Sequence, residues 1–275
     1  MIINYHAKSF SFAAKFLPEN RRWGTYAVYN FCRFADNIID NPRKRSRKEL
    51  IDELECFREE LRLAYKYYES EHPALKAFII AAKEFGIPKQ YADDLLTGVE
   101  MDLAIKEYEN FDKLYLFCYR VASTVGLMMT YVLGFDGGDK TLEYAEKMGV
   151  AMQLTNILRD IETDAELGRC YIPQDELSKF AVNKDDIIKR NFSNELHNLM
   201  KFQVDRAIDY YEYSQAGIVS LNKETRFAIV AASKIYGEIL QKIRHNNYNP
   251  FMGRVYIPHS QKIRILLSEI LKKFI

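Results

Sequence analysis

Apolar residues recur at intervals of three and four along most of this 275-residue chain, and alternating β-branched runs are few. Only an α-helix places residues of that spacing on one face, so the chain is expected to be all-α. Seven prolines and the Gly137-Gly138 pair punctuate the pattern, since proline ends a helix and paired glycines favour a turn. Helices are expected near residues 20–40, 46–70, 74–85, 88–106, 111–135, 139–165, 193–221, 223–246 and 259–273. Residues 166–191, with Gly168 and Pro173, read as a loop carrying one or two brief helical turns. No Gly/Ser linker, low-complexity tract or short-period repeat divides the sequence, so one domain over 1–275 is expected, long enough to bury a sizeable core.

Hydrophobic residues make up 48% and charged residues 28%, which excludes a mostly disordered chain. Lys and Arg number 39 against 38 Asp and Glu, so no global basic field argues for nucleic acid, and any anion site must be local. Cys32, Cys56, Cys118 and Cys170 form no C-x-x-C pair, and the histidines show no zinc spacing. Reduced thiols and a cytoplasmic location are the expectation. The amino-terminal residues lack the features of a secretory signal. Residues 121–135 are free of charge but too few to span a bilayer, so they read as a core helix, with peripheral membrane association left open.

Within the expected helix over 139–165, Asn156, Asp160 and Asp164 recur at i, i+4 and i+8 and stack three oxygen-bearing side chains on one face. In the first helix Tyr29, Arg33, Asp36 and Asp40 share a second stripe. Both stripes sit on helices that are otherwise largely apolar, where carboxylates are costly unless cations balance them. Asp36, Asp40, Asn156, Asp160 and Asp164 together suit Mg²⁺ shared with a substrate diphosphate. A solvated acidic face is the bland alternative, and the apolar flanks argue against it. Arg33 and Arg159 lie close enough to neutralise an Asp or to bind a phosphate oxygen, and Lys8 and Arg254 are further candidates. Nineteen Tyr and seventeen Phe serve mainly the core, yet aromatic faces also stabilise a carbocation without trapping it. The run Leu114–Met129 would line a long hydrocarbon pocket, or form an ordinary core helix.

These residues carry a resemblance. The stretches AKSF (7–10), YNFCRFADNIID (29–40), GVEMDL (98–103), CYRVASTVGLM (118–128) and QLTNILRDIETDAELGRCYIP (153–173) resemble, in order, the squalene and phytoene synthase family of head-to-head prenyltransferases. The closing IYGEILQKIRHNNYNPFMGRVYIP (235–258) looks most like its phytoene synthase branch. The resemblance implies an all-α isoprenoid-synthase fold with a central cavity and two aspartate-rich motifs facing each other at its mouth. Asp36 and Asp40 would form one Mg²⁺ site and Asn156, Asp160 and Asp164 the other, with Mn²⁺ an alternative ion. Ser9, Arg33, Gln153, Arg159 and Arg254 would contact diphosphate or support the site, and Tyr29, Tyr119 and Tyr236 fall on the family's active-site tyrosines. Two departures stand out: Asn37 occupies a position that is often acidic, and Ala7 one that is Ser in some relatives.

The implied reaction joins two prenyl diphosphates through a cyclopropylcarbinyl diphosphate and, on proton loss, yields a conjugated triene such as phytoene. Hydride delivery would give squalene and need NADPH; water capture would give an alcohol; farnesyl and geranylgeranyl chains both remain open, as do presqualene diphosphate and dehydrosqualene as products. A head-to-tail prenyltransferase or terpene cyclase fits the second motif poorly, and a helical binding protein without turnover would be expected to have lost metal ligands that are all present. The carboxy-terminal residues 266–275 are too short and too charged for a membrane anchor.

Overall fold

The structure, a computed structural model, describes residues 14–41 and 44–272. Among the described residues these α-helical elements follow one another: α1 (Glu19–Asp40), α2 (Arg47–Tyr67), α3 (Pro73–Phe85), α4 (Lys89–Ala104), α5 (Phe111–Leu133), α6 (Gly138–Glu166), α7 (Gln174–Lys179), α8 (Lys184–Ile188), α9 (Asn194–Gln215), α10 (Arg226–His245) and α11 (His259–Lys272). A 3₁₀ turn, Ala216–Ser220, follows α9. Among the described residues there is no strand, only two isolated bridges, Glu107 with Cys170 and Phe135 with Leu221. The expected boundaries hold within a few residues, and the expected loop contains α7 and α8.

Local chemistry sets many of the ends. Ser46 and Glu49 form a capping box that starts α2, satisfying backbone donors that the first turn leaves open. Asn110 and Ser193 cap α5 and α9 more simply, each side chain accepting one backbone N–H, from Lys113 and Leu196. Pro73 opens α3 and Gly86, with φ of 69°, closes it, as the helical preferences of these two residues predict.

Two large apolar cores result, beside a smaller cluster of Leu17, Leu133, Phe227, Ala231 and Leu266. One gathers α1 to α5 around Phe31 and Phe78, whose rings stack at 4.1 Å. The other joins α6, α9 and α10 through Leu154, Ile157, Val204 and Ile239. The helix α6 is buried almost all round over its middle, from Met148 to Ile161, as expected for a helix enclosed on every side. The face bearing Leu154 and Leu158 belongs to the second core, and the opposite stripe, Thr141, Ala145, Met148, Met152 and Asn156, lines a cavity between the two. The helix α5 is long and apolar enough to cross a membrane, yet Leu114, Phe117, Leu127 and Met128 are wholly enclosed by protein, so here it is a core helix.

The centre of α5 departs from regular geometry. Tyr119–Ser123 form a π turn, which inserts one residue and re-aims its neighbours. Val121 and Ala122 thereby line the cavity. The wider turn needs room, and two glycines provide it: a Cβ on Gly149 of α6 would lie 2.4 Å from the Ser123 Cα, and one on Gly98 of α4 would lie 2.8 Å from the Arg120 Cβ. Gly149→Ala therefore forces backbone apart and is expected to cost about 3 kcal/mol. Chemical denaturation checks this, and an unchanged midpoint with unchanged slope would refute the close fit.

Candidate active site

The cavity runs along α6 and is walled by α1, α5, α10, α11 and the 3₁₀ turn. Between Thr141 and Asn156, the first and last residues of α6 that line it, fifteen residues rise about 22 Å. Its walls are chiefly Ala, Gly, Val, Ile, Leu and Met, and the aromatic rings among its lining residues are Tyr29, Tyr144, Tyr236 and His259. Of the run Leu114–Met129, only Val121, Ala122, Val125, Gly126 and Met129 line the cavity; Leu114, Phe117 and Cys118 belong to the core. The expectation for that run holds in its second half and fails in its first, because the π turn rotates the two halves differently.

Polar side chains gather at the neck. Gln153 and Asn156 are both buried, and the Asn156 Nδ2 donates to the Gln153 Oε1 at 3.1 Å. Tyr236 is hydrogen-bonded to Asn156, and its hydroxyl is held well above the usual tyrosine range by burial. Tyr29 lines the cavity across from them; its hydroxyl is raised by burial, against the opposing charge of Arg33. Tyr119 lies in the π turn, outside the cavity wall, and donates to the Asp94 Oδ2 at 3.2 Å.

Beyond the neck the α6 stripe continues through Asp160 and Asp164. Asp160 accepts two bidentate pairs: from Arg159 at 2.8 and 2.5 Å, and from Arg254 at 2.8 and 3.1 Å. Burial alone would raise its carboxyl, but these donors outweigh it and hold it below the usual range. Asp164 has the opposite fate: burial and the charges of Asp160 and Asp102 push it up to about 7, against Arg169 and Arg159. On α1, Asp36 is also pushed up to about 7, by burial and by Asp102, against Arg33. Its Oδ2 is sealed from solvent with no hydrogen-bond partner. Asp40 is the last residue of α1 and is exposed, as is Asn37. Ser9 and Lys8 lie outside the described residues.

The acidic stripes of α1 and α6 thus meet through a residue that the sequence reading left without a role. Asp102 of α4 bears on both Asp36 and Asp164, and accepts from the Tyr171 hydroxyl at 2.5 Å and the Arg169 Nη1 at 3.3 Å. A signal was present: Asp94, Gly98 and Asp102 stand at i, i+4 and i+8, the spacing of the Asn156 ladder, with the glycine against the π turn. Among the described residues no three His, Cys, Asp or Glu side chains converge on one point to hold an ion unaided.

An all-helical shell around one apolar cavity, with carboxylates and arginines at its mouth, is the architecture of an isoprenoid synthase. A family model for squalene/phytoene synthase matches residues 3–261, and the chain belongs to that family. It is 35% identical over 268 residues to the chloroplastic phytoene synthase of an Oncidium hybrid cultivar, covering 95% of this chain and 64% of that one. The 15-cis-phytoene synthase of Synechocystis sp. is 35% identical over 273 residues, covering 95% and 80%. Among solved structures, a dehydrosqualene synthase crystallised with a ligand superposes with a TM-score of 0.88 at 29% identity, covering 98% of this chain and 93% of that one. Squalene synthase HpnC from Alicyclobacillus acidocaldarius gives 0.83 at 25% identity, covering 91% and 93%.

Proposed function

We propose that this chain condenses two geranylgeranyl diphosphates head to head into phytoene, releasing two diphosphates and two protons, one as the cyclopropane closes and one at the final step. The observation that carries the chain length is the length of α6 that lines the cavity. A main chain gains about 1.2 Å per bond when extended, so the sixteen main-chain carbons of a geranylgeranyl group span about 19 Å and the twelve of a farnesyl group about 14 Å. The reach from Asn156 to Thr141 suits the longer chain. The names of the relatives, phytoene synthases of a plant and a cyanobacterium, support the same product, while the dehydrosqualene synthase structure keeps the fifteen-carbon substrate as the second reading.

Asp36, Asp40, Asn156, Asp160 and Asp164 would hold Mg²⁺, or Mn²⁺, with the diphosphates. The donor set fits: it offers hard oxygens only, and Asp36 and Asp164 are partly buried carboxyls whose proton affinity is raised by desolvation and then by neighbouring carboxylates. Bound there, the ions would neutralise the charge of departing diphosphate. Arg33, Arg159 and Arg254 supply further positive charge at the mouth, and Gln153, Asn156 and Tyr236 mark the boundary between diphosphate and hydrocarbon. Apolar walls below the neck exclude water from the allylic cation, favouring proton loss over capture as an alcohol. Tyr29, Tyr119 and Tyr236 all have hydroxyls raised above the ordinary tyrosine range, chiefly by burial. They stay protonated and are poor resting bases, so the proton lost in each half-reaction passes to departing diphosphate. Leu267 and Leu271 are exposed on α11, beside Ile263 and Leu266 of the cavity wall; this supports release of the hydrocarbon at the cytoplasmic surface of a membrane.

The test is incubation of the protein with Mg²⁺ and either diphosphate, with and without NADPH, followed by mass identification of the products. A forty-carbon triene from geranylgeranyl diphosphate without NADPH is expected. Ala145→Phe, one turn above Thr141, should lower use of the longer substrate about tenfold relative to the shorter. A thirty-carbon product from the unaltered protein in preference to a forty-carbon one would overturn the chain-length assignment.

A further inference from the structure

The carboxylate of Asp160 has two oxygens and about four lone-pair positions in all. In the structure four donors fill them. Oδ1 accepts from the Nε of Arg159 and the Nε of Arg254, each at 2.8 Å. Oδ2 accepts from the Nη2 of Arg159 at 2.5 Å and the Nη2 of Arg254 at 3.1 Å. One negative charge thus faces two guanidinium groups. A dication approaching Asp160 meets a ligand whose lone pairs are occupied and two positive charges directly beside it.

The two arginines differ in freedom. Arg159 is adjacent on the same helix and its side chain is 1% exposed, so its fork is fixed; the side chain of Arg254 is 42% exposed. Arg254 also stands outside the helices, between α10 and α11, after Gly253, whose φ is 83°. A guanidinium fork matches phosphate oxygens as well as it matches a carboxylate. Diphosphate at the mouth therefore competes for Arg254, and its transfer frees one lone-pair position on each Asp160 oxygen while removing one positive charge.

Resting on the metal and diphosphate reading above, we propose that Arg254 is a positioning residue that makes cation capture at Asp160 conditional on diphosphate. Without diphosphate Arg254 clasps Asp160 and keeps the α6 ladder closed to the ion. With diphosphate, Arg254 moves to the phosphate and Asp160 opens. The cation then enters the α6 site together with the substrate headgroup and not ahead of it.

Manganese binding, followed by electron paramagnetic resonance with and without inorganic pyrophosphate, tests this independently of turnover. Wild-type protein should bind Mn²⁺ weakly alone and much more tightly with pyrophosphate. Arg254→Gln should bind Mn²⁺ without pyrophosphate about tenfold more tightly than wild type, the effect of removing one charged hydrogen-bonded partner, and should gain less when pyrophosphate is added. Arg254→Lys, a point charge without a fork, should fall between the two. In the Asp160→Asn, Arg254→Gln double variant the gain should vanish, with circular dichroism confirming an intact helical fold throughout. Equal Mn²⁺ affinity of Arg254→Gln and wild type without pyrophosphate overturns the clasp, as does a gain that survives in the double variant. If instead no form of the protein retains Mn²⁺ even with pyrophosphate, the metal and diphosphate reading falls and the clasp with it, a distinct outcome.

Discussion

Asp160→Asn and Asp164→Asn should both lower turnover about a thousandfold, the scale of removing one preorganised electrostatic contact in an active site, yet they should move stability in opposite directions. Asp160 is a carboxylate in excess demand: its two arginine forks hold it below the ordinary range despite burial. An asparagine there keeps one acceptor oxygen but leaves the buried Arg159 charge undercompensated, so the variant should melt at lower temperature. Asp164 is a carboxylate in insufficient demand, pushed up to about 7 by burial and by its acidic neighbours. Asparagine there removes a charge that the folded protein holds at a cost. At pH 8 without metal, Asp164→Asn should therefore be more stable than wild type by about 2 kcal/mol, a rise of several degrees in melting temperature.

Steady-state assay of hydrocarbon formation and thermal melts of the metal-free proteins check both halves. If the two variants lose activity but shift stability in the same direction, the charge distribution described for the mouth is wrong. If either retains activity, its place in the diphosphate site is wrong. A gain in stability coupled to loss of function is what a site that stores uncompensated charge predicts.

The helical architecture was legible because each helix carries its own period and its own stops. Pro73 and Gly86 bracket α3, Ser46 with Glu49 starts α2, and the Asn156, Asp160, Asp164 ladder lies on α6 as its spacing requires. Three features were not legible. The π turn at Tyr119 leaves no trace in apolar spacing, since its cause is the pair of notches at Gly98 and Gly149 on two other helices. Asp102 escaped because its importance comes from standing between Asp36, 66 residues before it, and Asp164, 62 residues after it. Arg254 was singled out as a phosphate contact, but its partner in the structure, Asp160, lies 94 residues earlier; sequence spacing says nothing about a pairing that only the packing of α6 and α10 creates.

The metal-free protein should also grow less stable as pH rises from about 5 to 8, against the usual trend for a protein whose carboxylates are paired. In the unfolded chain the side chains of Asp36 and Asp164 lose their protons near pH 4, while in the fold both hold them until about 7. Between those values the folded protein binds more protons than the unfolded chain, so each rise in pH favours unfolding. The interval from 3.8 to about 7 sets a ceiling of about 4 kcal/mol per carboxyl, and partial solvent access reduces this to about 2 kcal/mol. Below about pH 4 the sign reverses, because Asp160, Glu107 and Glu269 are held below their ordinary values by Arg or Lys partners and lose that stabilisation on protonation. Stability should therefore peak near pH 5. Mg²⁺ with pyrophosphate should flatten the descent toward pH 8, since cations replace the protons that Asp36 and Asp164 otherwise retain. Melting curves across pH 4 to 8, with and without those additions, measure both effects, and the Asp36→Asn, Asp164→Asn double variant should lose the slope between pH 5 and 8. A slope unchanged in that variant would place the responsible protons elsewhere and remove the argument that these two carboxyls carry the unbalanced charge at the mouth.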